Sequence, residues 1–287
     1  MSTVIKLKGT FDNPNLPVLT SEGLKSGFYG KYINALATHD YTLTADQKTA
    51  VEAFVDYLAA NDLFSHIQTI FPFIGSSTNV DAAKVPLVGD VELNFADSFD
   101  SFSFDNDNMI VGLTGTPAVT SLKLADVQPK EDFLGVAFST NKIATTESYT
   151  DRLMNFDTNF QVRLQADKIQ VYVRTSSGLT TLVGSDAIDG EVKAAAGSFY
   201  GLLAVGGGKY VRYASKSTSV SYSGGNYGYT VAKTSTDLAK SLSSTTSYDV
   251  AGVFTSITFF KDMITKEQAK LYMDGLKAFM TALGRNV

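Results

Sequence analysis

The side chains with a capacity for chemistry are few and scattered along the chain. Only two histidines occur, His39 and His66. His66 stands between Phe64 and Ile67 in an apolar stretch, where an imidazole is ordinarily a satisfied, half-buried group rather than a base. A Ser-His-Asp constellation or a zinc site needs partners that neither histidine has nearby in the sequence. Oxygen ligands are denser in ADSFDSFSFDNDN, residues 96–108, which gathers Asp97, Asp100, Asp105 and Asp107. Such loops suit calcium, with Asp105 and Asp107 as the candidate metal ligands. The EF-hand spacing breaks there, because Met109 takes the third ligand position and the glycine after it is missing. A solvated turn is the preferred reading, and no cofactor is expected. Glycoside hydrolysis needs two carboxyl groups spaced for acid and nucleophile, whereas Asp186, Asp189 and Glu191 gather around Gly190 in the manner of a turn. Gly206 to Gly208 lacks the Lys-Ser/Thr ending and the following helix of a phosphate loop, so it reads as a hairpin. Sugar binding is the remaining chemistry: Tyr222, Tyr227 and Tyr229 lie in SVSYSGGNYGYT, residues 219–230, and aromatic faces stack on sugars. The plainer reading of that stretch is a long surface loop whose tyrosines cover a sheet edge.

Composition narrows the classes. The chain of 287 residues is 44% apolar and 18% charged, with 14 Tyr and 19 Phe, which suits a β-rich globular protein with a real core. A net charge of −5, from 24 basic and 29 acidic side chains, leaves no basic stripe for nucleic acid and no polybasic run for an anionic membrane. Cysteine is absent, so disulfides and zinc-thiolate sites are excluded. The start, MSTVIKLKGTFDNPN, has no apolar core of a secretory leader, and no stretch reaches the roughly 18 residues of a spanning helix, so neither a leader nor membrane insertion is expected.

The elements that must position these side chains are organised around residues 41–75. Thr44 and Gln47 have the form of a capping box. Val51, Phe54, Val55 and Leu58 then share a helical face, and Asn61-Asp62 is a natural stop. Leu63, Phe64, Ile67, Ile70 and Phe71 repeat the spacing and predict a second helix, ended by Pro72 and Gly75. Residues 1–40 read as an extended arm, with Val4, Ile5, Leu7 and Phe11 as its apolar contacts and two prolines against a central strand. Phe28, Tyr29, Tyr32, Ile33 and Leu36 have helical spacing, which allows a short helix late in that arm.

Downstream, period-two alternation predicts strands. Val91 to Phe95, Phe102 with Phe104, Met109 to Leu113, Val119 to Leu124 and Phe133 to Phe138 are the first set. Residues 160–185 predict a meander turning at Ala166-Asp167 and Ser176-Ser177. Ser198 to Val205 and Lys209 to Ala214 predict another hairpin, and Val250 to Phe260 a last strand. A terminal helix follows, with Thr265 and Gln268 as a second capping box and Tyr272, Leu276, Phe279, Met280 and Leu283 as its buried face before Gly284. The expected fold is mainly β, one β-sandwich domain over residues 41–287, bracketed by short helices before it and a C-terminal helix.

LAANDLFSHIQTIFPFIG after an amphipathic helix, many short strands, and then ITFFKDMITKEQAKLYMDGLKAFMTALGRNV together resemble a family of bacteriophage virion proteins. Their jelly-roll domain is similar to concanavalin A-like lectins and laminin-G modules. The ending Phe279-Met280-Thr281-Ala282-Leu283-Gly284-Arg285 carries most of the likeness; a departure is that such proteins commonly have Trp after the first helix, where this chain has Phe64 and no Trp at all. The resemblance implies a non-enzymatic structural protein of the virion, assembled in the host cytoplasm: a capsid-decorating, head-fibre or tail-associated component, anchored by residues 1–40. Its implied partners are other virion proteins and further copies of itself. The alternative is a carbohydrate-binding adhesin for host surface glycans, and the third reading is a polysaccharide-cleaving enzyme. Fold alone does not choose among them.

Overall fold

A computed structural model describes residues 21–75, 78–90 and 92, the strands between 94 and 260 named below, and residues 251–285. Helix α1, Ser21–Thr38, leads into α2, Ala45–Ala60. The Thr44 hydroxyl accepts from the Gln47 N–H at 3.2 Å while the Gln47 amide oxygen accepts from the Thr44 N–H at 3.0 Å, so the expected capping box is formed. It satisfies two of the donors that a helix start leaves unpaired. Val51, Phe54, Val55 and Leu58 are buried as the spacing requires, and the chain leaves the helix through Asn61 and a left-handed Asp62 at φ 53°.

The second helix does not form. Phe64–His66 is one 3-10 turn, and Ile67–Phe71 is strand β1. Short apolar runs carry helix and strand periodicity equally well. Here two β-branched isoleucines and a threonine sit beside an open sheet edge; the segment pairs with the last strand on one side, while on the other the Ile70 N–H donates to the Val88 carbonyl and the Ile70 carbonyl accepts from the Leu87 N–H. The extended reading of residues 1–40 is likewise corrected over α1, where Tyr32 and Leu36 are buried and Phe28 stacks on Phe64 at 4.6 Å. Apolar spacing over Phe28 to Leu36 outweighed the arm-like composition before it. Val4, Ile5, Leu7 and Phe11 lie outside the described residues.

After a four-residue helix α3, Val80–Ala83, capped by Asn79, the strands are β2 Asn94–Phe95, β3 Phe102–Asp105, β4 Asn108–Val111, β5 Leu122–Lys123, β6 Phe133–Ala144, β7 Thr150–Phe156, β8 Phe160–Gln165, β9 Lys168–Thr175, β10 Gly178–Thr181, β11 Phe199–Gly206, β12 Lys209–Lys216, β13 Ser219–Asn226, β14 Lys240–Ser241 and β15 Ala251–Phe260. Among the described residues they form an eight-stranded sheet ordered β13-β12-β11-β6-β15-β4-β3, with β1 also on β15, a five-stranded sheet ordered β10-β9-β8-β7-β14, and the pair β2-β5. All the pairings are antiparallel. Gln165 pairs with Lys168, Thr175 with Gly178 and Gly206 with Lys209, so the meander and the glycine hairpin turn where the sequence places them. Ser219–Asn226, read as a loop, is instead an outer strand paired along its length with β12; only two residues separate it from β12, a tight hairpin that continues the sheet.

Strand β15 is the centre of the large sheet. One edge pairs with β6; the other is shared by β4 along Gly252–Phe254 and by β1 along Ile257–Phe260. The closing helix α4, Lys266–Ala282, lies on β11 and β12 and packs against α2. Ala137, Leu202, Ala204, Val211 and Phe260 from the sheet join Phe54, Leu58, Tyr272, Leu276 and Phe279 from the helices in one core. Val136, Phe138, Ile257 and Phe259 alternate with the sheet residues of that core and are buried on the opposite face. The sheet centre is covered on both sides.

Candidate functional site

The region where side chains converge most densely is the junction of β1, β15 and α4. His66 is fixed there: its Nδ1 lies 2.6 Å from Oδ1 of Asp262, its Nε2 lies 2.8 Å from Nε2 of Gln268, and its carbonyl accepts from the Lys261 N–H at 2.9 Å. Gln268 is also the third residue of α4, where its Oε1 accepts from the Thr265 N–H at 2.8 Å and its own N–H donates to the Thr265 hydroxyl at 3.2 Å. Histidine and carboxylate thus stand as a base and its orienting group would, but an amide occupies the place of a nucleophile. The satisfied, half-buried imidazole expected from sequence is present, on a 3-10 turn rather than a helix. Sequence reasoning missed its partners because they stand 196 and 202 residues away.

Behind this junction lies a buried polar row. The hydroxyls of Ser139 and Ser256 are 2.7 Å apart, Ser139 also bonds Thr255, and Thr258 bonds the Tyr272 hydroxyl. Complete burial pushes the Tyr272 phenol far above its usual range, with the Thr258 bond opposing only in part. The register of β15 against β6 shifts between Phe254 and Ser256, and a bulge of this kind withdraws a carbonyl from the ladder. Arg285, 7% exposed, answers it: Nη1 donates to the Thr255 carbonyl at 2.6 Å and to the Pro72 carbonyl, just past β1, at 2.5 Å. The buried hydroxyls are bonded to one another and the guanidinium to backbone, an arrangement that holds strands rather than substrate.

The sequence-derived site residues are dispersed. Tyr222 is in β13, in register with Tyr213 of β12; Tyr227 and Tyr229 lie outside the described residues. Asp105 ends β3 opposite Asn108, and Asp107 lies outside the described residues, as do Asp186, Asp189 and Glu191. Among the described residues no three acidic or histidine side chains gather as a metal site would need. His39 meets Glu92 at 2.8 Å in a partly exposed pair. An open groove of about 500 Å3 between the start of α2 and the end of α4 is lined by Thr44, Asp46, Gln47, Ala53, Leu283 and Gly284; Thr44 and Gln47 are already engaged in capping.

These features define a class: an antiparallel β protein whose main sheet is closed by helices from both ends of the described chain. Structures of the same fold include one of botulinum neurotoxin type C, with a TM-score of 0.54 at 7% identity over 76% of this chain and 53% of that one. The binding domain of botulinum neurotoxin serotype D/C VPI 5993 aligns with a TM-score of 0.48 at 9% identity, over 75% of this chain and 53% of that one. A xylan β-1,4-xylosidase from Bacillus halodurans C-125 aligns with a TM-score of 0.41 at 9% identity, over 67% and 38%. This chain spans about half the length of the neurotoxin structures it matches. At such identities the likeness is one of fold. No protein-family model matches the chain, and no curated protein matches it by sequence.

Proposed function

We propose that the chain is a non-enzymatic glycan-binding module built on a jelly-roll, concanavalin A-like β-sandwich, and that its ligand is a carbohydrate of a host surface. The observation that carries this reading is the fold likeness to botulinum neurotoxin type C over 76% of the chain, a protein that enters cells dependent upon interaction with two ganglioside molecules. Burial of both faces of the large sheet supports the sandwich, since the face away from the helices requires a second layer. Tyr222, Tyr227 and Tyr229 are the proposed stacking residues, the first of them on the outer strand of that sheet. No catalytic step is assigned. A glycan array read with the wild type and with Tyr227→Ala tests the reading: selective binding weakened by the substitution supports it, and no binding by either protein removes it.

A second reading, a structural component of a phage virion, rests on the sequence resemblance of the helical brackets alone. The two segments that carry the resemblance to virion proteins meet each other in space, through His66 with Asp262 and Gln268 and through Arg285 with Pro72. In this reading Val4, Ile5, Leu7 and Phe11 anchor the chain to other virion proteins and copies self-associate. Deleting residues 1–25 then abolishes incorporation into particles, and unchanged incorporation rules the anchor out. The two readings are compatible, because an adhesin can be displayed on a particle.

A further inference from the structure

We propose that His66, Asp262 and Gln268 form a proton-operated latch that ties the first turn of α4 to the start of β1 and opens on acidification. The argument begins with the amide of Gln268. Its Oε1 is held by the Thr265 N–H at 2.8 Å, so the amide turns its NH2 toward His66, whose Nε2 lies 2.8 Å away. Two donors cannot share a hydrogen bond, and that ring nitrogen must therefore be the bare, accepting one. The ring proton is on Nδ1 and is donated to Asp262 at 2.6 Å. One neutral tautomer is selected from both sides, by an amide whose orientation the helix cap dictates.

A second proton has only Nε2 to occupy, where it meets an NH2 group. The Nδ1–H bond to Asp262 persists in the charged state, since a carboxylate accepts from imidazole and imidazolium alike. The Gln268 side is the one that gives way. Its amide turns over to offer Oε1 to the protonated Nε2, taking that oxygen from the Thr265 N–H and opening the capping box. Other charged residues on the adjoining segments are Asp62 ahead of the 3-10 turn, Lys261 beside Asp262, and Lys266 and Glu267 in the first turn of α4. Asp62, Lys261 and Glu267 are exposed and Lys266 is half-buried. The latch matters because α4 covers β11 and β12; releasing its first turn loosens the cover at the point where β1 joins β15.

The test is amide hydrogen exchange and imidazole 15N NMR on the full chain between pH 7.5 and 5. At pH 7.5 the 15N shifts report the Nδ1–H tautomer. Where the 15N shifts show a doubly protonated His66, exchange at the Thr265 N–H, the donor that the turned amide abandons, accelerates about fivefold relative to Met273 in the following helix, the factor that loss of one cap is worth. Gln268→Glu reverses the sign: a carboxylate at this position keeps the capping box and accepts from a protonated Nε2, so acidification slows exchange there. His66→Asn removes the pH response. An Nε2–H tautomer at pH 7.5, exchange at Thr265 unchanged once His66 is doubly protonated, or a Gln268→Glu response of the same sign as the wild type each overturns the proposal.

Discussion

Replacing Arg285 by methionine tests how the end of the chain is tied to the sheet. The guanidinium donates from one nitrogen to the carbonyls of Pro72 and Thr255 at 2.5 and 2.6 Å in a site only 7% exposed. Methionine keeps an unbranched apolar stem but is shorter and donates nothing, so both carbonyls are left in a buried place without that donor. Each orphaned group costs about 1–3 kcal/mol. Burial of the guanidinium itself is relieved, which returns part of that. A net destabilisation of about 3 kcal/mol remains, and for a chain of this size it lowers Tm by roughly 6–12 °C. Urea denaturation followed by tryptophan-free near-UV and far-UV circular dichroism measures it, with Arg285→Ala as a companion that also removes the packing. Alanine should be worse than methionine by the loss of the stem contact. A methionine variant within about 0.5 kcal/mol of wild type, the scatter of neutral surface changes, refutes the reasoning, because it would mean the two carbonyls do not depend on Arg285.

Phe54→Ala should cost about 3–5 kcal/mol, as expected for a buried aromatic, because Phe54 stacks on Phe279 at 4.4 Å and meets Tyr272 edge-on at 6.4 Å; a small loss in chemical denaturation would show that α2 is not part of the core. Gly275→Ala should destabilise by about 1–3 kcal/mol, since a Cβ there would come within 2.5 Å of the Tyr57 ring, and Tyr57 is held by its bond to the Leu271 carbonyl at 2.9 Å; Tyr57→Leu in the same background should recover part of the loss in Tm. Alkaline pH should weaken the fold through Tyr272. Its native pKa is raised above 10.0 by burial, so the native state holds a proton that the unfolded state gives up. Stability is full below pH 10 and falls above it by up to about 1.4 kcal/mol per pH unit, and Tyr272→Phe should flatten that slope in pH-dependent urea titrations.

Much of the helical frame was legible in the sequence because its signals are local. Both capping boxes, the buried face of α2 and the stop at Gly284, where φ is 72°, depend on residues within a few positions of one another. The hairpins at Ala166-Asp167 and Gly207-Gly208 were legible for the same reason. Ile67–Phe71 was not, because its fate depends on an open edge of β15 nearly 190 residues later, and a five-residue apolar run contains no record of that edge. Ser219–Asn226 misled through its glycines and serines, which speak for a loop when read alone and are tolerated in an outer strand next to β12. Of the candidate site residues, Tyr222 and Asp105 fall on described strands, while the pairing of His66 with Asp262 and Gln268 had no sequence signal beyond the capping glutamine itself.

The proposed function stands or falls on binding. Isothermal titration calorimetry with an oligosaccharide identified on the array, using wild type and the combined Tyr222→Ala, Tyr227→Ala and Tyr229→Ala variant, measures it most directly. The account predicts saturable binding by the wild type and at least a tenfold loss in the variant, in keeping with removal of stacked aromatic faces worth about 0.5–1.5 kcal/mol each, with circular dichroism unchanged. Absence of binding to any glycan, or equal affinity in the two proteins, would contradict it.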